Sequence, residues 1–378
     1  KERAETGRIY IMNIDHSNSH SSFKDKVSMS NLCQEITLPT TPIKGIDDPD
    51  GEIALCILSA INVGAIGNLN ELETLCDLSV RALDEIIELQ DYPVKAAEVS
   101  TKSRRSLGIG YIGLAHYLAK NGVKYSDPKA WELVDRLSEA FQYNLLRASC
   151  NIAMEKGKCE GFDRTKYAEG QLPIDHYKKD VDKIVPHKQR MAWESLRKDI
   201  LKHGLRHSTL SAQMPSESSS VVSNETNGIE PPRALMAIKK SKKGPLKQIA
   251  PGFPKLKNDY TLLWDMPSNE GYINVVAMMQ KYFDQAISGN WSYNPTHFDN
   301  NEVPLSVMAQ DMLTAYKLGW KTSYYQNTYD FKGDDEDIQP AGLSAVIDTD
   351  DGEDVELPGN LISSDTKIEG EDCEACTI

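Results

Sequence analysis

Long apolar runs are missing from this 378-residue chain: none approaches the roughly 20 residues that a membrane-crossing helix needs, so no membrane span is expected. There is no signal peptide, and the first residue is Lys1 rather than Met, which reads as a processing or separation boundary. Cysteine is sparse. Seven in a chain this long, without regular spacing, do not build the framework of a small secreted domain, and a reducing cytoplasm is the expected compartment. The eight His residues suggest no ligand set, so the chain is expected to bind no metal. An excess of positive charge is missing too. The net charge is −14, but 15 acids and only 2 bases fall in residues 331–378, which leaves 41 acids and 40 bases in the 330 residues before them. A body so close to neutral has no general field with which to recruit nucleic acid.

What is present is a globular composition, 40% hydrophobic and 26% charged, in a chain long enough to bury a substantial core. Apolar runs at 8–14 and 53–61 read as buried strands, the second covered on both faces. Helical periodicity runs over 72–89, over 128–156 with Gly157 as a cap, and over 272–287 and 305–318. Strand character appears at 208–214 and again at 321–325. Helices alternating with strands predict an α/β class, with residues 1–330 as the folded domain. From 331 onward the composition is acidic, with Gly, Pro and Ser scattered through it, and predicts a flexible tail with no core of its own. The tail ends in a C-x-x-C pair, Cys373 and Cys376. Redox cycling suits two thiols at the tip of a tether, and no second Cys/His pair in the tail completes a zinc site.

Three further segments have chemistry to offer. In Asn31-Leu32-Cys33-Gln34-Glu35, alternation along an extended segment puts Asn31, Cys33 and Glu35 on one side. An amide, a thiol and a carboxylate so grouped could bind a diol, attack it and remove a proton; an ordinary strand end whose Cys packs as a small hydrophobe fits the same spacing. In Met214-Pro215-Ser216-Glu217-Ser218-Ser219-Ser220, hydroxyls and backbone N–H groups could cradle a phosphate, or one Ser could simply cap a helix. Tyr324-Tyr325 could be packing residues on opposite faces of a strand or stacked phenols that relay an electron and a proton. Two other matches are set aside. Gly108-Ile109-Gly110-Tyr111-Ile112-Gly113 fits G-x-G-x-x-G, but the polar run 102–106 before it is no core strand, and the segment reads as helix continuing through 114–120. The lysines around 239–243 lack interleaved aromatics and read as a solvated loop.

Together these motifs resemble the large subunit of class I ribonucleotide reductase. The residues that carry the resemblance are Ser30-Asn31-Leu32-Cys33-Gln34-Glu35-Ile36, Ala54-Leu55-Cys56, Ala212-Gln213-Met214-Pro215-Ser216-Glu217-Ser218-Ser219, Asn227-Gly228-Ile229-Glu230-Pro231-Pro232-Arg233, and Leu313-Thr314-Ala315-Tyr316-Lys317 leading to Tyr324-Tyr325-Gln326-Asn327-Thr328. The resemblance implies the second half of a ten-stranded α/β barrel with a central finger loop. It implies that Cys33 becomes a thiyl radical, that Glu35 removes the substrate's 3′-hydroxyl proton, that Asn31 holds the hydroxyls, and that Cys56 is one of two reducing thiols. Ser216, Glu217, Ser218 and Ser219 would bind the diphosphate of a ribonucleoside diphosphate. Tyr325 and Tyr324 would carry the oxidising equivalent from a metal-containing small subunit. Cys373 and Cys376 would reduce the active-site disulfide and be recharged by thioredoxin or glutaredoxin. The family's first half, with its nucleotide-binding regulatory region and the partner of Cys56, has no counterpart here, so an N-terminal half is an expected partner and no cofactor is expected on this chain itself. Cys76, Cys150 and Cys159 fall in or beside amphipathic helices and read as core. The rival reading is a non-catalytic paralogue that binds the small subunit; retention of Cys33, Glu35, Cys56, both tyrosines and the tail dithiol argues against it.

Overall fold

A computed structural model describes residues 1–241 and 244–329. Its strands are β1 (Ile11–Met12), β2 (Leu58–Asn62), β3 (Gly108–Ile112), β4 (Met236–Ser241), β5 (Gly244–Ile249), β6 (Trp291–Tyr293), β7 (Thr322–Ser323) and β8 (Gln326–Thr328). Its α-helices are α1 (Glu2–Thr6), α2 (Ile14–Ser19), α3 (Glu71–Leu89), α4 (Lys95–Arg104), α5 (Leu114–Lys120), α6 (Pro128–Lys156), α7 (Pro173–His176), α8 (Trp193–His203), α9 (Glu217–Val222), α10 (Glu270–Gln280) and α11 (Leu305–Lys317). The mixture is α/β, as the alternation of patterns predicts. The 331–378 segment, with Cys373 and Cys376, lies outside the described residues.

The strands that matter for the site run in parallel. β2 pairs with β3 from Leu58 opposite Gly108 to Asn62 opposite Ile112. The pairing continues through parallel bridges from Ile109 to Ser211 and from Gln213 to Ile287, and the Tyr324 N–H then donates to the Gly289 carbonyl. β6 and β8 extend this end in parallel, and β1 adds to β7 in antiparallel sense. Among the described residues this run does not close into a ring. Two glycines let it pack closely: a Cβ on Gly110 would lie 2.6 Å from the Ala212 carbonyl oxygen, and one on Gly108 would lie 2.7 Å from the Leu58 side chain.

Helices cover the sheet for reasons visible in their sequences. α3 buries Leu72, Cys76, Val80, Leu83 and Ile87, successive i+3/i+4 positions on one stripe. Each such aliphatic side chain contributes about 1.5–3 kcal/mol on burial. α6 starts where the Asp127 carboxylate accepts the Lys129 N–H at 2.9 Å and Pro128 occupies the first helical position, and it stops at Gly157 with φ of 88°. Its buried stripe includes Val134, Leu137, Phe141 and Leu145. Cys76, Cys150 and Cys159 are buried in this layer, as their helical positions suggested.

Several expectations are corrected. The 8–14 run supplies a strand of only two residues, because α2 begins at Ile14, and Ile9 and Ile14 are exposed. In 53–61 the strand begins at Leu58, and it is half-exposed rather than covered on both faces. Residues 108–112 form a fully buried strand, not part of a helix, and α4 precedes it. The first two glycines of the apparent dinucleotide fingerprint therefore sit inside the strand, and only Gly113, at φ of 82°, makes the turn into α5. The 272–287 pattern is a helix only to Gln280; the chain then turns and bends through 281–285, and Ile287 bridges to Gln213. The lysine-bearing segment at 239–241 belongs to a hairpin strand, β4 against β5, rather than a loop.

One buried carboxylate ties the layers together. Asp284 follows α10 and is 3% exposed. It accepts from the Leu210 N–H at 3.0 Å, the Ser211 N–H at 2.8 Å, the Ser211 hydroxyl at 3.0 Å and the Tyr167 hydroxyl at 2.8 Å. Replacing it by Ala orphans these donors away from water, so Asp284→Ala is expected to cost about 3–5 kcal/mol of stability. Urea unfolding followed by far-UV circular dichroism measures this; an unchanged midpoint would remove Asp284 from its place as the hub.

Candidate active site

The parallel strands end on the same side of the sheet, where open α/β sheets gather ligand-handling groups. Segments 209–213, 285–288 and 322–323 lead directly into Met214, Gly289 and Tyr324, and the 31–35 segment is laid against the second of these. The Ala286 N–H donates to the Glu35 carbonyl at 3.0 Å. The Ser288 hydroxyl lies in reach of both the Cys33 carbonyl and, at 3.1 Å, the Glu35 carboxylate.

Asn31, Cys33 and Glu35 do come together, but not by strand alternation. Residues 32–34 form a turn, closed by the Gln34 N–H donating to the Asn31 carbonyl at 3.2 Å, and Gln34 has a φ of 72°. A non-glycine residue in this region costs about 1–2 kcal/mol, which the surrounding hydrogen bonds must offset. The Asn31 side chain spans the turn. Its oxygen accepts the Ile36 N–H at 3.1 Å, and its amide donates toward Cys56 Sγ at 3.6 Å. Glu35 is 1% exposed, and burial pushes its carboxyl above the usual range, against the pull of its own backbone, Asn31 and Ser288. Cys56 is exposed as a residue, yet loss of solvent around its sulfur and the nearby Glu35 charge push the thiol up to about 11.

The tyrosines are in ring contact on one side rather than opposed, and their planes are tilted. Tyr324 and Tyr325 have ring centroids 4.2 Å apart at 50°. Strand alternation fails here because β7 stops at Ser323 and β8 starts at Gln326, leaving both residues in the break. The Tyr324 hydroxyl points at Cys33 Sγ at 3.6 Å. Burial, with Tyr325 and Cys33 alongside, pushes its phenol well above its ordinary value.

The hydroxyl-rich segment opens the short helix α9, with Ser216 as the residue before it. The Ser216 hydroxyl caps nothing; it donates to the Met214 carbonyl at 3.2 Å. Ser216 is buried, while Glu217, Ser218 and Ser219 are exposed.

Residues 1–326 match the family model described as "Ribonucleotide reductase, barrel domain". The chain belongs to the ribonucleotide reductase barrel family. It is 56% identical over 341 residues to the ribonucleoside-diphosphate reductase subunit alpha of Buchnera aphidicola subsp. Schizaphis graminum, a match covering 89% of this chain and 45% of the relative. It is 54% identical over 340 residues to ribonucleoside-diphosphate reductase 1 subunit alpha of Escherichia coli (strain K12), and 41% identical over 342 residues to the subunit alpha of Enterobacteria phage T4, each covering 89% of this chain and 45% of the relative. The chain thus spans less than half the length of these relatives and corresponds to the C-terminal half of such a subunit.

Sequence reasoning missed two residues at the centre of this reductase barrel site. Tyr10 lies with its ring 4.8 Å from Tyr324 and 5.4 Å from Tyr325, and burial pushes its phenol up to about 12. It sits in the run read only as a strand, and nothing local distinguishes it. Ser288, the donor to the 31–35 turn, lies just past the 272–287 run read as a helix, and nothing local distinguishes it. Two H-x-x-x-H spacings were also passed over, His16 with His20 and His203 with His207. The second pair is split between the end of α8 and a buried position where His207 meets Asp84. Among the described residues no group of three or more His, Cys, Asp or Glu could hold a metal ion, and no helix is long and apolar enough to cross a membrane.

Proposed function

We propose that this chain is one half of a class I ribonucleotide reductase large subunit. Assembled with an N-terminal half and a radical-generating small subunit, it reduces ribonucleoside diphosphates to 2′-deoxyribonucleoside diphosphates in the cytoplasm. The observation that carries this reading is the Tyr324 hydroxyl aimed at Cys33 Sγ from 3.6 Å, with the Tyr325 ring against Tyr324 at 4.2 Å. The open parallel run would be half of a ten-stranded barrel, the 31–35 turn its central finger loop. Among the described residues the outer edge of β2 has no strand partner, a reason for the two halves to associate.

In this reading a metal-containing small subunit supplies the oxidising equivalent. It reaches Cys33 through Tyr325 and Tyr324, and the S–H hydrogen passes to the Tyr324 oxygen. The Cys33 thiyl then takes the hydrogen atom from the 3′ carbon of the ribose, while Glu35 takes the 3′-hydroxyl proton and Asn31 holds the hydroxyls. The 2′-hydroxyl leaves as water. Cys56 and a thiol of the N-terminal half give up two electrons and two protons and join as a disulfide, and Cys33 returns the hydrogen to the 3′ carbon. Cys373 and Cys376 reduce that disulfide by exchange and are recharged by thioredoxin or glutaredoxin. Ser216, Glu217, Ser218 and Ser219 hold the diphosphate. A raised carboxyl suits Glu35 to proton removal near neutral pH, and a thiol pushed up to about 11 keeps Cys56 protonated until it reacts.

Reconstitution tests the whole reading. The isolated chain is expected to give no deoxyribonucleoside diphosphate by product chromatography, and addition of both partner polypeptides is expected to restore it. Full activity with the small subunit alone would contradict the split, and an assembly that forms without turnover would mark a non-catalytic paralogue.

The pH dependence follows from Glu35. It works as a base only when ionised, and burial raises its pKa, so kcat/KM should fall as pH drops through a midpoint above the ordinary glutamate value of about 4.3. Ser288→Ala removes a donor that favours the carboxylate and should move this midpoint higher. A pH–rate profile with an unmoved acid limb in that variant would count against Glu35 as the base.

A further inference from the structure

His116 and Glu225 form a buried pair that none of the proposed chemistry uses. The His116 Nδ1 lies 3.0 Å from Glu225 Oε2, with side-chain exposures of 14% and 4%. A carboxylate only accepts, so Nδ1 is the ring nitrogen that carries the proton. The pair joins two elements: His116 is on α5, and Glu225 lies in the turn that follows α9.

We infer that the His116–Glu225 pair is the positioning device for the hydroxyl-rich segment 216–219, fixing it where a diphosphate can be held. This inference rests on the diphosphate-binding role proposed above and names the residues that enforce it.

The residues after α9 hold it at both ends. At its start the Asn227 side-chain oxygen accepts the Ser216 N–H at 3.3 Å, and toward its end the Glu225 N–H donates to the Ser220 carbonyl at 2.8 Å. Residues 225–227 thus bracket the helix, and whatever fixes them fixes it. Glu225 does so through its carboxylate. One oxygen accepts the Thr226 N–H at 2.8 Å, and the other takes His116. The start of α5 adds backbone bonds, from the Gly113 N–H to the Thr226 carbonyl at 3.0 Å and from the Leu114 N–H to the Gly228 carbonyl at 3.2 Å.

The fit around the carboxylate is close. A Cβ on Gly64, just beyond β2, would lie 2.4 Å from Glu225 Oε2 and 2.8 Å from His116 Nδ1, and one on Gly113 would lie 2.8 Å from Glu225 Cγ. Two glycines from different strand ends therefore leave the space that this carboxylate fills. The Tyr260 ring stacks over His116 with centroids 6.5 Å apart at 21°, and the Gln248 amide donates to the Glu225 carbonyl at 2.8 Å. A six-residue helix has little rigidity of its own, so the placement of its hydroxyls depends on this external brace.

The test uses the assembled enzyme and two readouts, turnover of a ribonucleoside diphosphate and direct titration with inorganic pyrophosphate. His116→Leu keeps bulk beneath Tyr260 and removes the donor. It should raise KM and the pyrophosphate Kd together by about tenfold, with kcat held within about twofold. Glu225→Ala, which also removes the acceptor of the Thr226 N–H, should do at least as much, and the double variant should be no worse than Glu225→Ala alone, since the His116 contact is already lost there. Glu225→Gln, whose oxygen can accept the Thr226 N–H while its amide N–H donates to Nδ1 of a ring that carries its proton on Nε2, should stay within about threefold of the unchanged enzyme. If Glu225→Ala does not fold, His116→Leu and Glu225→Gln decide alone. Unchanged KM and pyrophosphate affinity in His116→Leu, or a loss confined to kcat, would overturn the inference. An unaltered assembly that makes no deoxynucleotide would instead overturn the proposed function, and the pyrophosphate titration would still decide the pair.

Discussion

Cys33→Ser is expected to abolish deoxynucleotide formation in the assembled enzyme, a loss of at least about 10⁴-fold, or ~5.5 kcal/mol of barrier. The substitution is nearly isosteric, and Cys33 is only part-buried in a turn held by backbone and Ser288 contacts. The fold, the small-subunit affinity and the substrate affinity should therefore survive. What changes is the atom facing the Tyr324 hydroxyl. A serine O–H gives up hydrogen far less readily than a thiol, and an alkoxyl radical in its place would not be formed by a phenol. Product analysis alongside a binding assay for the small subunit separates the outcomes. Measurable turnover by the serine variant would end the thiyl account, whereas loss of binding together with activity would place Cys33 in the structure instead.

Tyr324→Phe should give a loss nearly as large, at least about 10³-fold, and for a different reason. Phenylalanine keeps the ring that packs against Tyr325 and Tyr10, and the Tyr324 backbone still accepts from Arg3 at 2.8 Å and donates to Gly289. Only the hydroxyl that reaches Cys33 is removed. Substrate binding by equilibrium dialysis and the thermal midpoint should stay close to those of the unaltered protein. Retained turnover would mean that the oxidising equivalent reaches Cys33 by another route.

Much of the local structure was legible in the sequence. α3, α6 and α11 fall within a residue or two of their periodic patterns; α3 and α6 each bury one continuous stripe, the ends of α6 are marked by Pro128 with Asp127 and by Gly157, and α11 buries only Met308 and Ala315. Strands were harder. The pairing segments are short, and several consist of a single bridge, so a run such as 285–288 has too few alternations to declare its period, whereas 208–214, read as a strand, carries bridges at Ser211 and Gln213. Gly108 and Gly110 look like loop residues by composition and are strand residues because neighbouring strands approach closely.

The candidate site divides in the same way. Cys33, Glu35, Asn31, Cys56 and the two tyrosines were named from motifs, and the structure brings them together. The reason first given for the 31–35 grouping was wrong: a turn with a left-handed Gln34 does what alternation was expected to do. Tyr10, Ser288 and the His116–Glu225 pair were not legible. Each acts through a partner far away in the chain, 314 and 315 residues in the case of Tyr10 with Tyr324 and Tyr325, and no local pattern records such a meeting.

A serine hydroxyl has one hydrogen to give, and Ser288 stands between two takers, the Cys33 carbonyl and the Glu35 carboxylate. When Glu35 is charged it is the stronger claimant; once it has picked up a proton, the claim lapses and the hydroxyl turns to the peptide that carries the sulfur. In the chemistry proposed above, with Glu35 as the base, the backbone grip on Cys33 would be firmest just after Glu35 has been filled, and one oxygen atom would keep the two halves of that chemistry in step.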